Sequence, residues 1–277
     1  VLSPWNFPIA IPGGGVLASL VSGNAVILKP SQNAAATGLV LCKALWEAGV
    51  PKSALAFLPT REKTLDKYLA TQCPFASVIL TGGTDTAKML LTRNPHLPLY
   101  AETGGKNATI VTALSDREQA IENVVNSAFG NAGQKCSATS LLILEEEVFY
   151  DQHFKLLLKD AILSRKVGSP WEFDTVQGPL AVAVSDKLEQ AILEKGEWLV
   201  EPELKDDFLM SPGVLWDVKQ GDFCFDNELF GPVLSVVKAK DLEHAIEIAN
   251  SVSYGLTSGL ESLVTEEIEL WNEKVEK

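Results

Sequence analysis

The chain is short of metal-ligating and cationic side chains. Its 277 residues include three histidines and four cysteines (Cys42, Cys73, Cys136, Cys224), the latter widely scattered and without a CxxC pair. That scarcity argues against a zinc site, and no metal is expected. Free thiols suit a reducing cytoplasm, which is the expected compartment. Lys and Arg number 23 against 36 Asp and Glu, a net charge of −13 and a pI near 4.7. A cationic face for nucleic acid is therefore not expected. No run of about 18 apolar residues occurs, so no membrane span is expected. No initiator Met precedes Val1-Leu2-Ser3-Pro4-Trp5, which is not a signal peptide either, and the chain is expected to be a fragment. It lacks a repeat of fixed period, a low-complexity tract and a Pro/Ser linker.

What remains is an ordinary globular balance of 46% hydrophobic and 21% charged residues. The length allows one large domain or two modest ones. Short apolar runs alternate with helical stretches. Strands are expected over 25–29, 55–58, 77–80 and 98–102. Helices are expected over 34–48, from about 62 to 71, and up to about 93. After Gly104-Gly105 come strands over 107–112, 141–144, 214–218 and 233–238. Helices there are expected over 116–129, 150–165, 185–194, 241–251 and 266–277. Continuous apolar strands separated by helices imply an α/β fold whose parallel sheet is covered on both faces. A boundary near residue 103 would separate two halves packed together rather than tethered.

Four local patterns carry chemistry, each with a plain structural alternative. Pro4-Trp5-Asn6-Phe7-Pro8 holds a neutral amide in a rigid segment, suited to an oxyanion; the alternative is a satisfied buried turn. Glu102-Thr103-Gly104-Gly105-Lys106 places a carboxylate at the C-terminal end of a parallel strand, where ligands bind in open α/β sheets. Burial would raise such a carboxyl toward general-base duty; the alternative is a solvated Glu beside a turn. Gly133-Gln134-Lys135-Cys136-Ser137 presents a thiol with polar, glycine-rich flanks and a neighbouring cation, unlike the core setting expected for Cys42 and, by default, for Cys73 and Cys224. Glu228-Leu229-Phe230-Gly231-Pro232 puts an acid and an aromatic ring on one face of an extended segment, fit to grip a ribose and stack on a ring, or simply to form a turn.

Two further segments suit a nucleotide. Lys29-Pro30-Ser31 closes the first strand, and Thr81-Gly82-Gly83-Thr84 joins a strand to a helix N-terminus that suits a pyrophosphate. Gly13-Gly14-Gly15-Val16-Leu17-Ala18 matches G-x-G-x-x-A, but no clear strand precedes it, so it is set aside.

Taken in order, PWNFP, LKPS, LTGGTD, ETGGKN, GQKCS and ELFGP resemble the NAD(P)-dependent aldehyde dehydrogenase superfamily. ETGGKNATIV, SAFGNAGQKCSA and YGLTSGLESL are most similar to its glutamate γ-semialdehyde (1-pyrroline-5-carboxylate) dehydrogenases, which include the C-terminal domain of bifunctional proline-utilisation enzymes. The resemblance implies a Rossmann-type cofactor domain over 1–103 and a catalytic domain over 104–277. It implies Cys136 as nucleophile, with Asn6 and the Cys136 backbone N–H as oxyanion hole, and Glu102 as the base for deacylation. Lys29 would bind the adenosine ribose, Glu228 the nicotinamide ribose, and Phe230 would flank the nicotinamide. Trp5, Ser31, Gln32, Gly82 and Gly83 complete the implied cofactor set. Phe7 would line the aldehyde site, and Lys135 and Ser137 would hold the substrate carboxylate.

Gln32 stands where many members have Glu, and Gly83 where many have Ser, so both NAD and NADP remain open. Relative to the family, a first third before Val1 and an end after Lys277 would be absent. The missing end would include the carboxylate loop and the oligomerisation arm. The implied partners are an aldehyde substrate, a fused or separate proline dehydrogenase, and, at full length, further copies of the chain. The implied reaction oxidises glutamate γ-semialdehyde to glutamate. The alternatives are another semialdehyde, a cysteine hydrolase using Cys136, Glu102 and Lys106 or Lys135, and a fragment that binds without turning over.

Overall fold

The computed structural model describes residues 1–60 and 75–276. The helix expected from about 62 to 71, and Cys73, lie outside the described residues. The chain divides into two compact units, Val1–Gly104 and Gly105–Lys277.

The first unit carries β1 (Leu2–Ser3), α1 (Ala10–Val21), β2 (Val26–Pro30), α2 (Ala35–Glu47), β3 (Leu55–Phe57), β4 (Val78–Thr81), α3 (Thr84–Arg93) and β5 (Leu99–Glu102). The strands form one sheet in the order β3-β2-β1-β4-β5, and every neighbouring pair is parallel. The chain therefore fills one side of β1 first and then the other, the doubly wound pattern of nucleotide-binding sheets. Val16, Val26, Leu28, Cys42 and Leu55 form one apolar cluster, and Val78, Leu80, Ala87 and Leu90 another. Cys42 is fully buried on α2, as its flanks suggested. That helix stops at Gly49, whose φ of 103° lets the chain turn left-handed while the Val50 N–H donates back to the Leu45 carbonyl at 3.0 Å. The sequence pattern did not reveal β1, only two residues long, or α1. Gly13, Gly14 and Gly15 lie inside α1 rather than in a turn before it, although the short strand β1 does precede that helix.

The second unit carries β6 (Asn107–Val111), α4 (Arg117–Phe129), β7 (Thr139–Glu145), α5 (Glu146–Tyr150), α6 (Gln152–Leu163), α7 (Asp186–Ile192) and β8 (Glu197–Val200). It continues with β9 (Gly213–Trp216), α8 (Phe223–Asp226), β10 (Val233–Ala239), α9 (Leu242–Ser251), β11 (Ser258–Glu261) and α10 (Thr265–Lys274). The sheet order is β11-β6-β7-β10-β9-β8, parallel throughout except for β8 against β9. Alternate residues face opposite cores. Ile110, Leu141, Ile143 and Leu215 pack with α7 and α9, while Val111, Leu142, Leu144 and Val214 pack with α4 and α6. Burial on both faces explains why these strands read as unbroken apolar runs.

Three departures have local causes. The helix expected over 150–165 is α6, which starts at Gln152 because the Asp151 side chain accepts from the His153 and Phe154 N–H groups at 2.9 and 3.3 Å and separates it from the short, unanticipated α5. The strand expected to reach Val218 ends at Trp216, since Asp217 adopts φ 57°. β8, β11 and α8 were not anticipated: each is four residues long, too short for periodicity to register.

Replacing the Asp151 cap by Ala should lower the unfolding free energy by about 1 kcal/mol, whereas Asp151→Asn should stay near the parent, since Asn caps about as well as Asp. Urea denaturation distinguishes the two; equal losses would mean that the cap is not what stabilises the break.

Candidate active site

In the first unit the motif residues collect at the C-terminal edge of the sheet. β1 runs out into Pro4-Trp5-Asn6-Phe7, β2 ends at Lys29-Pro30-Ser31, β4 leads to Gly82-Gly83, and β5 ends on Glu102. A cavity of about 170 Å³ sits there, lined by Trp5, Lys29, Ser31, Gly82 and Gly83 among others. It straddles β1 and β4, the strands at which the winding direction reverses. Gly83 is extended, and its carbonyl accepts from the Thr86 N–H at 3.0 Å, so the first turn of α3 starts at the cavity. The unsatisfied N–H groups of a helix start favour a phosphate. Lys29 is buried, 8% exposed, so its ammonium is held at the strand end rather than free in solvent. The volume is smaller than the roughly 300–1,000 Å³ of a whole ligand site, and fits one portion of a dinucleotide.

The other calls in this unit are placed as follows. Asn6 is half-buried, Phe7 is 37% exposed, and Gln32 is exposed in the short turn before α2. Glu102 is exposed, so the burial that would make it a stronger base is not found. A Cβ built on Gly83 meets nothing within 4 Å, so the Ser common at this position would fit.

In the second unit the nucleophile candidate sits on a constrained turn. α4 ends at Phe129, and the next residues reverse hand: Asn131, Ala132 and Gly133 have φ of 55°, 53° and 71°. A left-handed non-glycine residue costs of order 1–3 kcal/mol, and two occur in succession. Gly133 has no alternative, because a Cβ there would lie 2.2 Å from the Gly231 carbonyl oxygen. This approach packs the cysteine loop against Glu228-Leu229-Phe230-Gly231. The Ala138 N–H then donates to the Lys135 carbonyl at 3.1 Å and closes a turn with Cys136 at its second position. Cys136 is half-buried and Ser137 exposed, whereas Cys42 and Cys224 are almost wholly enclosed. Lys135 is half-buried beside the turn, and burial, reinforced by Arg165, lowers its pKa.

Glu228 is half-buried and its Oε1 accepts the Gly105 N–H at 2.9 Å. Burial raises its carboxyl pKa, while the Gly105 N–H and then the Lys187 and Lys106 charges act in the opposite direction. Phe230 has φ 53°, a strained conformation at the residue assigned to the nicotinamide. Lys106, weighed as a hydrolase partner of Cys136, is instead sealed in the core. It is 2% exposed, its Nζ has no hydrogen-bond partner, and burial lowers its pKa to about 8 against the opposing pull of Cys224, Glu228 and Asp226. Sequence reasoning missed this burial, the Gly105 to Glu228 bond and the left-handed run, none of which leaves a periodic signal. Among the described residues, no group of three His, Cys, Asp or Glu side chains can hold a metal ion, and no helix is long and apolar enough to cross a membrane.

A doubly wound parallel sheet with a cavity at its switch point, and a second α/β unit that displays a half-buried cysteine after a strained loop, define an α/β protein with a Rossmann-like first unit. The chain belongs to the aldehyde dehydrogenase family, whose model matches residues 1–277. It is 36% identical over 294 aligned positions to a 1-pyrroline-5-carboxylate dehydrogenase of Staphylococcus saprophyticus, covering 99% of this chain and 55% of that protein. Proline Utilization A (PutA) from Corynebacterium freiburgense has a similar structure, with a TM-score of 0.94, 42% identity, and coverage of 99% of this chain and 29% of that one. A Thermus 1-pyrroline-5-carboxylate dehydrogenase solved with bound NAD gives a TM-score of 0.89 at 30% identity, covering 99% of this chain and 56% of that one. The chain thus spans about half the length of the curated relatives it matches.

Gly133→Ala should destabilise the second unit by at least about 2 kcal/mol, because strain at positive φ adds to a backbone clash. Gly83→Ser should leave stability within about 0.5 kcal/mol, as expected of an accommodated surface change. Chemical denaturation of both variants checks the contrast; a neutral Gly133→Ala would show that the close approach to Gly231 is dispensable.

Proposed function

We propose that the whole protein oxidises an aldehyde with NAD, and that the aldehyde is glutamate γ-semialdehyde, released as glutamate. The observation that carries the reading is Cys136: of the cysteines among the described residues, it alone is not buried, and the loop that leads into its turn takes two non-glycine residues to positive φ. The names of the relatives support the substrate. The PutA likeness supports a proline dehydrogenase, fused or separate, as the source of that substrate. Enclosed thiols at Cys42 and Cys224 fit a reducing compartment. By family resemblance the whole protein would assemble with copies of itself.

The roles follow from the side chains. The Cys136 thiolate adds to the aldehyde carbon, a step suited to a soft sulfur nucleophile. The Asn6 amide and the Cys136 backbone N–H donate to the oxygen as it becomes an alkoxide. When bound, NAD supplies the two-electron acceptor for that carbon. Lys29, Ser31, Gly82 and Gly83, with Trp5 and Gln32 beside them, bind the adenosine and phosphate portion. Glu228 binds the second ribose, and Phe230 confines the ring. A thioester on Cys136 remains, and Glu102 removes a proton from the water that cleaves it. Phe7 packs on the aldehyde chain, while Lys135 and Ser137 hold the substrate carboxylate. NAD is favoured over NADP by the NAD-bound Thermus relative, although an NADP-dependent relative of comparable fold is known from Bacillus halodurans.

Formation of reduced nicotinamide from glutamate γ-semialdehyde tests this. Cys136→Ala should abolish turnover, and Asn6→Ala should lower kcat by about 100–1,000-fold, the usual loss of one oxyanion donor. Glu102→Gln should release one equivalent of reduced nicotinamide and then stall as the thioester. Turnover by Cys136→Ala would remove the nucleophile assignment, and activity of the parent only with other aldehydes would remove the substrate.

A pH dependence also follows. Glu228 accepts ribose hydroxyls best when ionised, and burial raises its pKa. Nucleotide affinity should therefore fall on acidification at a higher pH than an ordinary carboxylate, near pH 4.3, would give. Glu228→Gln should bind weakly with no such fall; an unchanged pH profile in that variant would assign the titration elsewhere.

A further inference from the structure

The first residue of β6 bears on the candidate nucleophile, and this inference rests on the reading of Cys136 as that nucleophile. Asn107 is 4% exposed, and both hydrogens and the oxygen of its side-chain amide are bonded to backbone. Its Nδ2 donates to the Cys136 carbonyl at 2.6 Å and to the Ala138 carbonyl at 2.9 Å. Its Oδ1 accepts the Thr257 N–H at 3.1 Å. The pairing register slips at this point: Asn107 lies opposite Thr139, but Ala108 lies opposite Leu141. Ser140 is the extra residue of the resulting bulge, a device that re-aims side chains next to sites. Backbone approach is equally close, since a Cβ on Gly105 would lie 2.7 Å from the Cys136 carbonyl oxygen.

We infer that Asn107 is a positioning residue for the nucleophile, clamping the peptide that follows Cys136 so that its Sγ and its backbone N–H keep one orientation. The turn hydrogen bond from the Ala138 N–H to the Lys135 carbonyl closes the loop. The two Nδ2 hydrogens of Asn107 add a hold on the Cys136 carbonyl inside the turn and on the Ala138 carbonyl at its end. A carboxylate of the same size cannot do this, because it has no hydrogen to give to either carbonyl. A hydroxyl of Ser length is too short to span them. The Asn107 backbone begins two residues after the N–H that holds Glu228, so the same stretch of chain anchors the residue assigned to the cofactor ribose and the residue assigned to attack.

The test is a split between kcat and KM in the whole protein, with Asn107→Ala, Asn107→Asp, Asn107→Ser, Thr109→Val and Cys136→Ala measured side by side. Thr109 lies on the same strand and loses a hydrogen bond to Thr139 when replaced, without touching the cysteine turn. Nucleotide binding, followed by fluorescence, reports folding in each variant. The Asn107 variants should lose about 100-fold in kcat, the order expected for an ångström of misplacement, while KM for NAD stays within about threefold. Thr109→Val should keep kcat within about threefold although it also loses a partly buried hydrogen bond. A folded Asn107→Asp or Asn107→Ser with parental kcat overturns the clamp. So does an equal loss in Thr109→Val, or failure of every Asn107 variant to bind nucleotide, because either result assigns Asn107 a general structural role. Turnover by Cys136→Ala would remove the nucleophile reading itself, whereas an inactive Cys136→Ala beside fully active Asn107 variants removes only the clamp.

Discussion

Parallel strands cannot be joined by a tight hairpin; the chain must cross over and return before the next strand starts. In the first unit this constraint acts on every strand pair. Each strand ends at the same edge, and its outgoing loop must leave there. Asn6, Lys29, Gly82 and Glu102 are far apart in sequence, yet they share that edge because each directly ends or follows a parallel strand. The winding order, starting from a central β1 and filling both sides in turn, opens a cavity where the loops diverge. Backbone pairing thus makes the site before any side chain contributes to it.

The second unit places its chemistry differently. Its sheet is buried on both faces, so its strands are rigid, and the loops between them can carry strain. Asn131, Ala132, Asp217 and Phe230 all take positive φ without being glycine. Two of these precede the candidate nucleophile, and one is the aromatic residue assigned to the nicotinamide. Such conformations persist only where surrounding contacts over-determine them. Here the contact is the near-touching of Gly133 and the Gly231 carbonyl, which would be impossible with any side chain at 133. The strained cysteine loop and the Glu228 segment therefore hold each other in place.

Several buried polar side chains of this interior are tied to backbone groups. Asn107 and Gln134 are enclosed and bonded to backbone, the latter accepting the Ala181 N–H at 3.0 Å. Ser235 is fully buried and donates to the Cys224 carbonyl at 3.0 Å. Lys106 is a buried ammonium with no hydrogen-bonded partner, with Glu228 and Asp226 supplying opposite charge nearby; Gln177 Oε1, Ser140 Oγ and Ser258 Oγ are buried without a partner as well. Removing Lys106 would leave Glu228 with the Gly105 N–H and Lys187 against its own burial.

Much of this was legible in the sequence. A run such as Val233–Val237, buried at every position and separated from the next strand by an amphipathic stretch, reads as a parallel strand with covering helices, because burial on two faces leaves little room for polar alternation. The order of the short motifs determines the family, and the polar, glycine-rich flanks of Cys136 set it apart from Cys42. Short elements escaped, since two to five residues hold no period, and the 12-residue α1, which runs through three consecutive glycines, escaped as well. The deeper site was decided only in three dimensions. Nothing in the string Glu-Thr-Gly-Gly-Lys-Asn says that the lysine is sealed in the core or that the asparagine bonds to the carbonyl of a cysteine 29 residues later. Those facts depend on strand register, a one-residue bulge and the approach of two backbones, and such long-range contacts are set by packing rather than by local preference.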